Sequence, residues 1–472
     1  MGRRKAFKLE SIEIEAIADG GKCVAHHDGM AIFVKDVVPG DIVDIEAKKK
    51  RRNYLEGRPL KFISKSKNRT EPVCEHFGVC GGCKWQNLQY ETQLSEKAKI
   101  VKDNLERIGK VDNLQINPII GSDHQYFYRN KLEFTFSNNR WLTDEEIQSG
   151  EDLERNALGF HIPKLFDKIV DINKCHLQAD TSNQIRDAVK EYALKNNLSF
   201  YDIREKKGFL RNLIVRTSST NEVMVILQVG ENDIALPDLL DHLKTTFPEI
   251  TTLMYVVNSK MNETFNDLEV QTYSGQGFIW EEMPAYNSDK FLKFKIGPKS
   301  FFQTNSLQAR KLYQIALDFA DLKGRELVYD LYTGTGTIAL YAAHLSGKVV
   351  GVEYVEDAIH DAEVNATENG ISNVEFHSGD MKDVLNAEFV NENGKPDLII
   401  TDPPRAGMHP EVVQRLSEIE ADKIVYISCN PATQARDIAI LSEKYDVIKV
   451  QPVDMFPHTS HIENVVLLHL KK

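Results

Sequence analysis

The sequence predicts three folded units in series: a small all-β barrel, a mixed α+β unit and a doubly wound α/β sheet toward the C-terminal end. Three observations predict this. Between Lys8 and Lys61, short alternating segments (LESIEIEAIA, MAIFVKDV, GDIVDIEAKKK, YLEGRPLKFI) are broken by Asp19-Gly20-Gly21, Asp28-Gly29 and Pro39-Gly40, which is the alternation and turn spacing of a barrel. From about 125 to 300, strand-like runs (KLEFTF, NLIVRT, EVMVILQV, TLMYVVN) mingle with helical ones without a clean βαβ rhythm. After Phe301 the apolar strands ELVYDLY, KVVGVEYV, VEFHSGD, PDLIITDPP, KIVYISCN and YDVIKVQPV recur, with helix-length segments between the earlier ones. A sheet of this kind collects its ligands at the carboxyl ends of its strands.

The chain has 472 residues, 42% hydrophobic and 27% charged, enough for several cores. No stretch approaches the roughly 18 apolar residues of a membrane span, and the basic start MGRRKAFKLE has no apolar segment behind it, so a cytoplasmic protein is expected. The net charge of -12 argues against a polyanionic partner, but its distribution argues for one. Residues 1–70 hold 16 Lys plus Arg against 10 Asp plus Glu, which leaves -18 for the remaining 402. The run Lys48, Lys49, Lys50, Arg51, Arg52 follows a nucleic-acid backbone or is a solvated face. Next along the chain, Leu94, Ala98, Val101, Leu105 and Ile108 recur at helical spacing, a packing stripe. Tyr126, Arg129 and Lys131 are either RNA contacts, stacking and pairing with phosphate, or plain strand surface. The polar, acidic stretch 138–156 is expected to be a surface insertion.

The ends of the last strands carry the chemistry. Asp330-Leu331-Tyr332-Thr333-Gly334-Thr335-Gly336-Thr337 follows the first strand, its glycines allowing a tight turn and close backbone approach to a ligand. The next strand ends in Glu353, 23 residues after Asp330, suited to accept from ribose hydroxyls; the third ends in Asp380 and the fourth in Asp402-Pro403-Pro404. The loop lacks the third glycine of a dinucleotide site. Three strand-end carboxylates suit a cationic, phosphate-free nucleoside such as S-adenosylmethionine, the alternative being that they only cap helices. Arg405 stands after the two prolines, where enzymes that methylate exocyclic amines carry an aromatic residue, and implies contact with phosphate or a carbonyl.

Cys429, in Ile427-Ser428-Cys429-Asn430-Pro431, ends the fifth strand beside a helix N-terminus, where a lowered thiol pKa is expected. A free cysteine more often simply packs. On spacing alone Glu463, in His461-Ile462-Glu463-Asn464, is an ordinary exposed glutamate. Cys74-x5-Cys80-x2-Cys83 with the distant Cys175 offers four thiolates for an iron–sulfur cluster or for zinc; disulfides are not expected in the cytosol.

Taken together these residues resemble the RNA uracil-5-methyltransferase family over nearly the whole chain, and most closely its iron–sulfur branch acting on 23S ribosomal RNA. The resemblance implies a TRAM domain, an OB-like RNA-binding barrel, over residues 1–68. It implies an iron–sulfur and RNA-recognition unit over 69–91 and 125–300, and a Rossmann-like class I methyltransferase domain over 92–124 and 301–472. It places cofactor contacts on Gln303, Tyr332, Thr337, Glu353, Asp380 and Asp402, the nucleophile on Cys429, the proton-abstracting base on Glu463, and the ligands of a [4Fe-4S] cluster on Cys74, Cys80, Cys83 and Cys175. It also implies that the target uridine is turned out of its stack. The expected activity is S-adenosylmethionine-dependent methylation of uridine carbon 5 in 23S ribosomal RNA, by a monomer without a protein partner. The rivals are the same chemistry on transfer RNA, a non-catalytic RNA-binding assembly factor, and a small-molecule methyltransferase with structural zinc. The loop departs from the family in reading Tyr-Thr-Gly-Thr-Gly, and 138–156 is longer than usual.

Overall fold

The computed structural model describes residues 6–51, 54–112 and 114–472. Its first sheet has six strands, Phe7–Glu13, Ala16–Ile17, Cys23–His27, Met30–Val34, Ile42–Arg51 and Tyr54–Ser64. All neighbouring strands run antiparallel except Met30–Val34, which pairs parallel with Tyr54–Ser64. Ile14, Ala25, Ile32, Val34, Val43, Ile45 and Leu55 form one core under the sheet. Gly57 has no alternative there, because a Cβ would stand 2.4 Å from Ile45 Cγ2. Of the basic run at 48–52, Lys48 is exposed, only the backbone of Lys49, Lys50 and Arg51 is described, and Arg52 lies outside the described residues.

A second sheet has seven strands in the spatial order Gln271–Ser274, Ile250–Val257, Val223–Val229, Leu210–Thr217, Lys131–Ser137, Ala157–Ile162, Leu165–Asp171. It is antiparallel apart from Val223–Val229 with Ile250–Val257, which are joined through helix Leu236–Thr246 as a single βαβ step. That helix and Thr181–Lys195 cover one face through Leu239, Leu243, Ile185 and Val189. Part of the opposite face, Ile214, Ile226 and Met254, joins the core of the last unit. The insertion holds a short exposed helix, Asp144–Ser149, closed by a capping box between Thr143 and Glu146.

In the last unit we label the strands β1 (Leu327–Leu331), β2 (Lys348–Glu353), β3 (Val374–Ser378), β4 (Leu398–Thr401), β5 (Lys423–Ser428), β6 (Tyr445–Val453) and β7 (Glu463–Leu470). Their order is β3-β2-β1-β4-β5-β7-β6, parallel until β7 enters antiparallel between β5 and β6. This seventh strand is not among the six expected from the apolar runs. Helix Tyr90–Arg107 packs here through Val101 and Leu105, in the core with Tyr426, Ile438 and Val450. No helix among the described residues is long and apolar enough to cross a membrane.

Candidate active site

The rim of strand ends begins where β1 stops. Tyr332, Gly334 and Gly336 all take positive φ, at 64°, 56° and 80°, so the chain reverses within five residues and enters helix Thr337–Ala343. Tyr332 bears the steric cost of a left-handed side chain, while the glycines do not. At Gly336 a Cβ would meet Ala362 Cβ at 3.0 Å and Phe376 Cζ at 3.1 Å. Asp330, fully buried, accepts from Thr333 Oγ1 at 2.5 Å. Burial pushes its carboxyl up to about 7 despite that bond, with Asp402 and Glu353 adding to the rise.

Glu353 ends β2 and accepts from Gly334 N at 3.1 Å, Tyr354 N at 2.9 Å and Val355 N at 3.0 Å. Asp380 does cap a helix, accepting from Lys382 N at 3.2 Å, and pairs with the Lys382 ammonium at 3.2 Å. The Lys382 N–H bond and the ammonium hold its carboxyl below the usual range. Burial, and then Asp437, Asp380 and Glu353, push the Tyr332 hydroxyl up. Thr337 is buried and its Oγ1 lies 3.5 Å from Thr335 Oγ1. Gln303 is half-buried; its carbonyl accepts from Asn130 Nδ2 at 3.0 Å, which fastens it to the second sheet just before helix Ser306–Ala320.

Cys429 and Glu463 are brought together by register. In the antiparallel β5–β7 ladder the last pair is Ser428 opposite Asn464, so Cys429 and Glu463 adjoin that pair at the same end of the ladder, and the Glu463 carboxyl acts on the thiol. Glu463 is 4% exposed, which corrects the expectation of an ordinary exposed glutamate: it opens a central strand that the sequence did not reveal. Burial and then Asp402 push its carboxyl well up, with Arg405 opposing. Burial likewise pushes Asp402 up to about 7.

The thiol also departs from expectation. Asn430 caps helix Pro431–Leu441 by accepting from Ala432 N at 3.1 Å, so the helix N-terminus is there. Yet Cys429 is raised to about 12, by burial first and then by Glu463 and Asp402, with Arg405 opposing. Two carboxyl groups in the same pocket outweigh a helix end whose first donors are already capped.

The loop between β6 and β7 is a junction that pattern reading missed. The Lys97 ammonium meets Asp454 Oδ1 at 2.6 Å with both side chains fully buried, and Tyr90 OH donates to Asp454 Oδ2 at 2.8 Å. Asn305 Nδ2 donates to Met455 O at 2.8 Å, and Tyr128 OH to Pro457 O at 3.0 Å. Lys84 N and Trp85 N donate to His458 O at 2.8 and 3.1 Å. Tyr126 stacks on His458 with centroids 4.5 Å apart, and Arg129 lies over Phe456. Lys131 is half-buried, its ammonium pKa lowered by burial and then by Arg216. The one advance signal was composition: a polar, Pro- and His-bearing stretch leading straight into the Glu463 motif.

Asn173, two residues before the remote Cys175, is tied to the stretch that carries the other three cysteines: its N donates to His76 Nε2 at 2.9 Å and its Nδ2 to Glu75 Oε1 at 3.1 Å. Burial pushes Cys80 up to about 12 and Cys83 to about 11, and both feel Cys74 and Cys175. Cys74 and Cys175 are also raised by burial. All four thiols are free. Among the described residues, no group of three or more His, Cys, Asp or Glu side chains is arranged to hold a metal ion.

A family model described as tRNA (Uracil-5-)-methyltransferase matches residues 271–471, and a TRAM domain model matches residues 3–60. An RNA methyltransferase of Bacteroides thetaiotaomicron is 54% identical over 96% of this chain and 100% of its own length. One from Chlorobaculum tepidum is 38% identical over 95% and 93%. The crystal structure of the Pyrococcus abyssi tRNA (uracil-54, C5)-methyltransferase in complex with S-adenosyl-L-homocysteine superposes with a TM-score of 0.74 at 28% identity, covering 99% of this chain and 100% of that one. Sheet order, strand-end carboxylates and these matches define an S-adenosylmethionine-dependent methyltransferase that acts on RNA. The chain belongs to the RNA uracil-5-methyltransferase family, with an N-terminal TRAM domain.

Proposed function

We propose that the chain methylates carbon 5 of one uridine in 23S ribosomal RNA, with Cys429 as transient nucleophile and Glu463 as base. The observation that supports this reading is that the β5–β7 ladder ends at Ser428 opposite Asn464, next to Cys429 and to the buried Glu463, whose carboxyl acts on the thiol. Carbon 5 of uracil is too weak a nucleophile to attack a methyl sulfonium unaided. Addition of the Cys429 sulfur to carbon 6 forms one S–C bond and moves the ring's electron pair onto carbon 5 and the 4-carbonyl oxygen. The thiol's proton passes to Asp402, whose carboxyl is pushed up to about 7. S-adenosylmethionine, when bound, supplies an electrophilic methyl group that the electron-rich carbon 5 takes, the sulfonium S–CH3 bond breaking and S-adenosylhomocysteine leaving. Glu463 then removes the carbon 5 proton, the double bond re-forms, and Cys429 leaves as thiolate. A buried carboxylate with a raised pKa is a better acceptor for that proton than an exposed glutamate.

Gln303, Tyr332, Thr337, Glu353, Asp380 and Asp402 hold the methyl donor in this reading. Cys74, Cys80, Cys83 and Cys175 would hold a [4Fe-4S] cluster in this reading: the four thiols are free and chemically suited as donors, while in this structure they are not arranged as a metal-binding group. Its work is to order the RNA-binding unit, and no step of methyl transfer passes through it. A second reading, transfer RNA as substrate, is favoured by the family model's description and by the substrate of the Pyrococcus abyssi enzyme.

The test is incubation of the wild type, Cys429→Ala and Glu463→Gln with labelled S-adenosylmethionine and unmodified 23S ribosomal RNA or transfer RNA, followed by nucleoside mass spectrometry. 5-Methyluridine in 23S ribosomal RNA with wild type alone supports the proposal, and 5-methyluridine only in transfer RNA replaces the substrate. A Cys429→Ala enzyme that still methylates overturns the mechanism.

A further inference from the structure

Arg129 and Arg405 come from different units and meet at the same loop. The Arg129 Cζ lies 5.2 Å from the centroid of the Phe456 ring. His461 packs edge-on against that ring, with centroids 6.2 Å apart at 85°. Arg405 Nη2 donates to His461 Nδ1 at 2.8 Å. Phe456 and His461 are therefore spacers between two guanidinium groups, and Glu463 follows two residues after His461. Arg405 is itself fixed, its carbonyl accepting from Asn430 Nδ2 at 2.9 Å, next to Cys429.

Neither guanidinium forms an ion pair with a carboxylate among the described residues. The arginines nearby are engaged by carboxylates, Arg436 by Asp437 and Arg415 by Glu418. Among the described residues no carboxylate oxygen stands within 4.0 Å of a nitrogen of Arg129 or Arg405. Arg129 Nε is buried without a hydrogen-bond partner. Burial, Arg405 and Arg129 hold the His461 imidazole down at about 4, so it is neutral and its Nδ1 can accept. Two forked cations left open beside the reacting pair are completed by an anion, and phosphodiester oxygens match the guanidinium fork. A neutral uracil ring brings no such charge, whereas the backbone that carries it does.

We propose that Arg129 and Arg405, spaced by Phe456 and His461, clamp the phosphodiester backbone on the two sides of the turned-out uridine. The proposal rests on the uridine reading above and deepens it: the second sheet and the methyltransferase unit each contribute one cation, so the nucleotide is gripped only where the two units meet. Arg129 is then a residue of RNA binding and not of methyl transfer.

The experiment measures RNA affinity against salt, and steady-state methylation, for the wild type, Arg129→Met and Arg129→Lys on whichever RNA binds the wild type. Losing one phosphate contact lowers the slope of log affinity against log salt by about one. The expected Arg129→Met result is that lower slope, with KM for RNA raised by roughly tenfold and kcat within about threefold of wild type, while Arg129→Lys recovers the slope. An unchanged slope in Arg129→Met, or a fall in kcat with KM kept, overturns the clamp. If Arg129→Met does not fold, as judged by its thermal transition, Arg129→Gln takes its place with the same expectations. If wild type binds RNA but makes no 5-methyluridine, the uridine reading fails, and the slope still decides whether Arg129 meets phosphate.

Discussion

Cys429 and Asp330 show how far burial decides chemistry at single residues. Since Cys429 is raised to about 12 by burial and by its carboxyl neighbours, its alkylation by iodoacetamide, followed by peptide mass spectrometry, is expected to be slow at pH 7 and to keep climbing past pH 9. A plateau below pH 8 would show a thiolate already present in the free enzyme. Glu463→Gln is expected to form the thiol adduct but not to release it, so a protein–RNA species surviving denaturing gel electrophoresis should accumulate; a freely turning-over variant would remove Glu463 from the role of base. For Asp330 the sign is opposite to that of a salt-bridged carboxylate. Its folded pKa, about 7, lies above the ordinary aspartate value of 3.8, so between these values the folded state binds a proton that the unfolded state does not. Stability from this group is full below about pH 4 and is lost as pH rises to about 7. Every tenfold difference in proton affinity between the two states is worth about 1.4 kcal/mol. Asp330→Asn is therefore expected to flatten the fall of the thermal midpoint between pH 5 and 7 and to lie above wild type at pH 7.5; parallel curves would deny the assignment.

Among the elements, helix Tyr90–Arg107 matters more than its packing stripe suggested. Val101 and Leu105 pack as expected, but the same helix also carries Gln93 and Lys97 inward. Gln93 Oε1 accepts from His458 N at 2.9 Å, and Lys97 neutralises Asp454. Burial lowers the lysine's pKa while Asp454 opposes the change, as in any buried pair where desolvation competes with attraction. Removing one partner leaves a buried charge alone, which costs about 3–5 kcal/mol. Lys97→Met is therefore expected to lower the denaturant midpoint strongly, and Lys97→Met with Asp454→Leu to recover most of the loss. Equal loss in the single and the double variant would mean that the helix contributes packing only. A helical stripe reports apolar positions, so a lysine on the buried side reads as solvent-facing until its partner, 357 residues away, is known.

On the scale of the whole molecule, the loop from Asp454 to Ile462 is hydrogen-bonded to four separate stretches of the chain: Lys84 and Trp85, Gln93 and Lys97, Tyr128, and Asn305. A fragment beginning at residue 301 keeps every strand from β1 to β7 and the Asn305 bond to Met455, yet leaves Asp454 and the rest of the loop without the partners from residues 84–128. It is expected to show no cooperative thermal transition, whereas co-expression with residues 1–300 restores one; a stable fragment that binds S-adenosylhomocysteine alone would show that the loop holds itself. The proposed cluster is checked at the same scale. Anaerobically purified protein should carry about four iron and four sulfide per chain and a broad visible absorption that Cys83→Ser removes.

By itself the sequence determined the class of each unit, the strand ends at Asp330, Glu353, Asp380 and Asp402, and the position of Cys429 at a parallel strand's end. These are local properties: alternation, helical spacing, glycine pairs and apolar runs report on a residue's own neighbourhood. Recognition of Glu463 as a base came from likeness to a family and not from its surroundings in the chain. Only the tertiary structure decided that Glu463 is buried, that β7 inserts antiparallel beside β5 and ends next to Cys429, and that Arg129 and Arg405 share one loop. It also reversed the expected direction for the thiol. Desolvation and the summed field of carboxyl groups brought in from β4 and β7 depend on three-dimensional distance, which no local pattern records.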